Sequence, residues 1–74
     1  MIDLAVLRRE AGVIQVQLAE ALATSQGQIS RIERQNDMLL STLIAFLTAL
    51  GVEARLVVKV GRKTIAQELT EGRR

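Results

Sequence analysis

The sequence contains no cysteine, histidine, tryptophan or tyrosine, and Phe46 is its one aromatic residue. Each absence excludes some chemistry. Without cysteine there is neither a disulfide nor a thiolate metal site. Without histidine the chain lacks the usual metal ligand and the commonest general base. A single phenylalanine cannot build the aromatic platform on which proteins stack single-stranded nucleic acid. No Gly-rich phosphate loop and no carboxylate pair at useful spacing appears, so no catalysis, metal or cofactor is expected. The N-terminus has no basic segment leading into an apolar run. The longest nearly apolar run, Met38 to Leu50, is too short to span a bilayer. These features point to a cytoplasmic protein without a membrane partner.

Seventy-four residues make one small domain, near the size at which a single core becomes marginal. Chains this short often need a staple or a partner. The formal net charge is only +2, and it is unevenly spread. From Met1 to Gln35, Arg8, Arg9, Arg31 and Arg34 are matched by Asp3, Glu10, Glu20 and Glu33. The positive excess lies later, in Arg55, Lys59, Arg62, Lys63, Arg73 and Arg74. A ligand of the first half is therefore met by local geometry more than by a broad field.

The stretch from Gln15 to Gln35 organises the chain. Leu18, Ala19 and Leu22 form the apolar stripe of a short helix. A turn at Ala23-Thr24 follows. Ser25 is a good N-cap for a second helix, Gln26 to Arg34, and Gln28 completes a capping box. Ile29 and Ile32 share the inner face of that helix. Its other face is Gln26, Gly27, Gln28, Ser30, Arg31, Arg34 and Gln35, residues that can hydrogen-bond bases and phosphates. Alone, such a face would simply be solvated. Joined through a tight turn to a preceding helix, it makes a helix-turn-helix. Glutamine is the side chain that reads adenine in the major groove, and arginine the one that reads guanine.

The run L-R-R-E-A-G-V-I-Q-V-Q-L-A-E-A-L-A-T-S-Q-G-Q-I-S-R-I-E-R resembles the Xre/Cro-type helix-turn-helix domain of phage repressors and bacterial regulators. The resemblance covers roughly Leu4 to Gly51 and combines Q-x-x-L-A, S-Q-x-x-I-S-R-I-E and a later A-L-G. It implies a mainly α, lambda repressor-like domain of four helices over residues 1–51. It further implies a sequence-specific repressor on double-stranded DNA. By the same resemblance Gln26 and Arg31 match base-contacting positions, with Gly27 between them where the chain comes closest to the bases. Gln28 and Ser30 match positions touching base or phosphate, the first counted here with the bases and the second with the phosphates. Gln15, Arg34 and Ser41 match phosphate-contacting positions at helix ends, where free amides favour an anion. Arg8 and Glu33 match a partly buried structural ion pair. Three residues depart from the family pattern. Ile14 stands where a capping Thr, Ser or Asn is usual, Ala23 where glycine is frequent in a left-handed turn, and Gln35 where glycine commonly ends the helix.

Elsewhere, Asp3 to Ala11 reads as the first helix, with Asp3 as cap, Leu4 and Leu7 inward, and Gly12 at C′. Among Met38, Leu39 and Leu40 at least one should cover the core. Ser41 is expected to cap a fourth helix that ends at Gly51, with Leu43, Phe46, Leu47 and Leu50 as its core stripe and Ile44 off it. From Val52 the period changes to two, so residues 52–74 form a C-terminal dimerisation strand and tail. Val52, Ala54, Leu56, Val58 and Val60 fall on one face, and Glu53, Arg55, Val57 and Lys59 on the other. No second strand is evident, and a lone strand cannot satisfy its backbone groups. Antiparallel pairing with a second copy about an axis at Leu56 sets Glu53 opposite Lys59 and Arg55 opposite Val57. The apolar face would then lie on the fourth helix, and the homodimer would read an inverted-repeat operator. The tail offers a short helix, with Thr64 and Gln67 as a capping box and Ile65 and Leu69 on its face. Gly72-Arg73-Arg74 should fray.

A short Xre-type domain followed at once by a strand also resembles antitoxins of HigA type. That likeness implies control of the protein's own operon and a cognate toxin protein as a further partner. Ile44, Ile65 and Leu69 are the candidate apolar contacts for it. The alternative is a stand-alone repressor, phage-like or metabolic.

Overall fold

The computed structural model describes residues 3–70. Four helices come first: α1 (Leu4–Glu10), α2 (Gln15–Ala21), α3 (Gln26–Arg34) and α4 (Leu40–Leu50). Two strands follow, β1 (Arg55–Val60) and β2 (Lys63–Glu68). The expected fraying of Gly72-Arg73-Arg74 lies outside the described residues. Among the described residues no helix is long and apolar enough to cross a membrane.

Local chemistry sets the helix ends. Asp3 Oδ1 accepts the Val6 N–H at 3.1 Å and starts α1. Gly12, at φ +76°, turns the chain out of it. Ile14 offers no side-chain acceptor at the start of α2. Instead Gln17 reaches back, its Oε1 accepting the Ile14 N–H at 3.0 Å. Ala23 is left-handed at φ +56°, the one such non-glycine residue among those described, a conformation worth about 1 kcal/mol of strain for alanine. Ser25 Oγ accepts the Gln28 N–H at 3.1 Å and opens α3.

Ser41 does not cap α4. The helix begins at Leu40, with Leu39 in extended conformation at the cap, two residues before the expected one. The Leu39 carbonyl takes the amides of Thr42 and Leu43, so Ser41 sits exposed inside the first turn. Gly51, left-handed at φ +75°, ends the helix.

The core is built from Leu4, Leu18, Ala19, Ile29, Ile32, Phe46, Leu47 and Leu50. Phe46, Leu18 and Ile29 lie at its centre with essentially no exposure, and α2 packs against both α3 and α4. Met38 closes the core from one side, whereas Leu39 and Leu40 remain exposed. Leu7 is not inside with Leu4. It is exposed on the wall of a cleft.

The C-terminal third departs most from expectation. β1 is not alone: it pairs antiparallel with β2, from Arg55 opposite Glu68 to Val60 opposite Lys63. Gly61 at φ +61° and Arg62 at negative φ make the two-residue connection, the signature of a type II′ hairpin turn. Gly61 thus reverses the chain rather than merely ending a strand. Thr64 to Gln67 is strand, not a capped helix, because the β1 edge supplies hydrogen-bond partners that no local pattern advertised. Nor does the apolar face of β1 lie on α4. Val52 and Ala54 pack on the core, but Leu56, Val58 and Val60 are exposed. Ile44 and Leu69 are half-buried, and Ile65 is exposed.

Thr70 closes the base of the hairpin, where Val52 and Ala54 pack on the core. Its buried hydroxyl accepts the Ala54 N–H at 3.1 Å and donates to the Val52 carbonyl at 3.2 Å. The Ala54 carbonyl in turn accepts the Leu69 N–H at 2.9 Å. Between α1, α4 and this hairpin base lies an open apolar cleft of about 490 Å³, walled by Leu7, Ala11, Leu43, Leu47, Val52, Ala54 and Leu69 and rimmed by Glu10, Glu53 and Arg55.

Candidate nucleic-acid interface

The outward face of α3 is Gln26, Gly27, Gln28, Arg31 and Arg34, all exposed, with Ser30 half-buried beside them. Ile29 and Ile32 hold the helix to the core by the opposite face. The acid on α3, Glu33, is withdrawn from the surface. Its Oε2 lies 2.6 Å from Arg8 Nε, and the two side chains are 6% and 9% exposed. Arg31 and Arg34 are thereby left as unopposed charges on the outer face.

The ion pair is fully supported. Arg8 Nη1 donates to the Val13 carbonyl at 3.0 Å, and Nη2 reaches Glu33 Oε1 at 3.4 Å. Gln15 Nε2 donates to the same Oε1 at 3.0 Å. Gln15 Oε1 then accepts from Gln26 Nε2 at 3.1 Å. A continuous chain therefore runs from a buried arginine, through a carboxylate and one glutamine, to another glutamine at the head of α3. Its electrostatic sense is uniform: each amide is oriented by the charge behind it.

Several expected site residues are brought together. Gln15, at the first position of α2, touches Gln26, at the first position of α3. Ser30 and Arg34 also meet, Arg34 Nη1 donating to Ser30 Oγ at 2.6 Å. At Gly27 a Cβ would come no closer than 3.9 Å to Ser25 Oγ. The fold itself therefore does not demand glycine there. Ser41 makes no cap and stands apart from these contacts.

Sequence reasoning identifies Arg8 with Glu33 but misses the bond between Gln15 and Gln26. Both glutamines stand out in the sequence, for different contacts. Eleven residues separate them, and only the helix-turn-helix angle brings their amides together.

The described geometry agrees with the comparison by family. A helix-turn-helix family model matches residues 4–57, which takes in all four helices and the start of β1. Neither the curated proteins nor the solved structures yield a match. The matched domain is one that binds DNA in a sequence-specific manner and is not an enzyme fold. With most of its length matched, the chain belongs to the Xre/Cro-type helix-turn-helix family.

Proposed function

We propose that the protein is a transcriptional repressor that binds an inverted-repeat operator as a homodimer. The observation that carries this reading is the outer face of α3, cleared of negative charge by the Arg8–Glu33 pair and headed by a glutamine already oriented from behind. Gln26 and Arg31 read base edges, adenine and guanine respectively. Gly27 lets the backbone approach the groove, and Gln28 adds a further base contact. Ser30 and Arg34, joined to each other, take a phosphate. Gln15 and Ser41, at the starts of α2 and α4, take others. Selection from random duplex DNA is expected to return a palindrome, and a footprint upstream of the protein's own coding region should contain it. Recovery of sequences with no common element would overturn the reading.

The pattern of a short Xre-type domain followed at once by β structure favours an antitoxin of HigA type over a stand-alone repressor. A small basic RNase-like protein, encoded next to this one and co-purifying with it, is the expected finding. A neighbourhood without such a frame leaves the stand-alone repressor.

A further inference from the structure

The hairpin carries more apolar surface than the helical body covers. Alternation along antiparallel strands determines what each edge offers. The Ala54 carbonyl points at β2, because it accepts the Leu69 N–H. By alternation the backbone groups of Leu56, Val58 and Val60 also face β2. Those of Glu53, Arg55, Val57 and Lys59 face the other way, along an edge of β1 that no described strand covers.

The side chains sort with the same period. Leu56, Val58 and Val60 share a face with their opposite numbers Gln67, Ile65 and Lys63. That face continues into Val52, Ala54 and Leu69, which wall the cleft against α1 and α4. One apolar surface thus begins inside the cleft and runs out along the hairpin into solvent.

We propose that a second copy of this chain covers both the open β1 edge and the mouth of the cleft. This rests on the homodimer of the proposed function and names its interface. The hairpins join into a four-stranded antiparallel sheet, with β1 of each copy at the centre and a two-fold axis at Leu56. The open edge allows only pairings of odd with odd and even with even residues. An axis at Leu56 obeys that rule and sets Glu53 opposite Lys59 of the second copy, twice by symmetry. An axis at Val57 also obeys it, but brings Arg55 opposite Lys59, a repulsion repeated on both sides. Charge therefore selects Leu56. With a two-fold axis normal to the sheet, the apolar faces of both copies lie on the same side. Val58 of the second copy then stands beside Ala54, and its Val60 beside Val52, at the mouth of the apolar cleft. Lys59 of the second copy meets Glu53 at the rim of the cleft, which Glu10 and Arg55 also line. Strand pairing, cleft filling and charge matching are met by one register.

A single cysteine tests this in a chain that has none. At the axis, Leu56 faces its own copy in a non-hydrogen-bonded pair, where Cα atoms lie about 4.5 Å apart. That falls within the span of a disulfide, about 4.4–6.8 Å. Leu56 is exposed, so Leu56→Cys should leave the monomer fold and its circular dichroism unchanged. Under mild oxidation most of the Leu56→Cys protein should migrate as a covalent dimer and revert with reductant. Gln67→Cys, on the outer strand, should stay monomeric on the same gel. Crosslinking by Val57→Cys but not Leu56→Cys would overturn the register. A sedimenting dimer that neither variant crosslinks would overturn the interface. A protein that sediments as a monomer would hand the hairpin face to a different protein and overturn the second copy as occupant. DNA selection separates the two readings. A palindrome without the crosslink keeps the repressor and removes this interface, and the crosslink without sequence preference does the reverse.

Discussion

Gln15 and Gln26 are joined by a 3.1 Å hydrogen bond across the turn between α2 and α3. The bond fixes which way the Gln26 amide points before any ligand arrives. It also couples a residue expected on phosphate to one expected on a base. Gln26→Ala should weaken specific binding by about 1–3 kcal/mol and relax preference at one base pair per half-site. Gln15→Ala should relax preference at that same pair. The double variant should fall short of the sum by at least about 0.5 kcal/mol. Titrations against the selected site and its single-base variants would measure all three, and strict additivity would show the bond to be idle.

Arg31 and Arg34 should separate cleanly. Arg31→Ala is expected to lose about 1–3 kcal/mol on the specific site and to relax selection at one position. Arg34→Ala should lower affinity evenly across sequences and reduce the salt slope by about 0.9 for each phosphate it no longer neutralises. Affinity measured at several salt concentrations, on specific and random duplexes, distinguishes the two behaviours.

Glu33→Ala removes the partner of a buried arginine. With Arg8 nearly inaccessible, the stranded charge should destabilise the domain by about 3–5 kcal/mol. In so small a domain that is most of the expected stability. Denaturant melts should show an early transition, and DNA binding should be lost with the fold even though every residue expected on DNA is still present.

Ala23→Gly acts in the other direction. The left-handed conformation at Ala23 is one that glycine adopts freely, so the substitution should stabilise the domain by about 1 kcal/mol. Ala23 lies in the turn between α2 and α3 and is not among the residues expected on DNA, so affinity for the selected site should be unchanged. A rise in melting temperature with equal DNA affinity is the expected pair of results.

The helical part was legible because local rules and burial agree there. Leu18 with Ala19 on α2 and Ile29 with Ile32 on α3 keep helical spacing and are buried as that spacing requires. Asp3 and Ser25 cap as their side chains allow. Ser41 misled because a helix can start on a backbone carbonyl alone, and Leu39 supplies one. β2 misled for a different reason. Lys63 to Glu68 holds only Thr64 and Ile65 as strong strand formers, and Thr64 with Gln67 imitates a helix start. Its conformation is conferred by β1 through the turn at Gly61, a non-local effect that propensity does not record. Of the interface, the residue types could be read but the links between them could not. Gln15 and Gln26 were each visible, and so were Ser30 and Arg34. The bonds joining them depend on helix crossing and rotamer.

Thr70 gives the molecule a stiff joint. One hydroxyl both accepts from Ala54 and donates to Val52, so the end of β2 is fastened to the segment through which the hairpin leaves the core. In a dimer joined through the hairpins, that joint would set the angle and separation of the two reading heads. The spacer length of the operator would then be encoded at Thr70, far along the chain from the residues proposed to read its bases. An operator with one base pair added at its centre would be rejected by the rigidity of this hinge, with every base contact intact. Loosening it with Thr70→Val should widen the range of spacers bound and leave the half-site sequence unaltered.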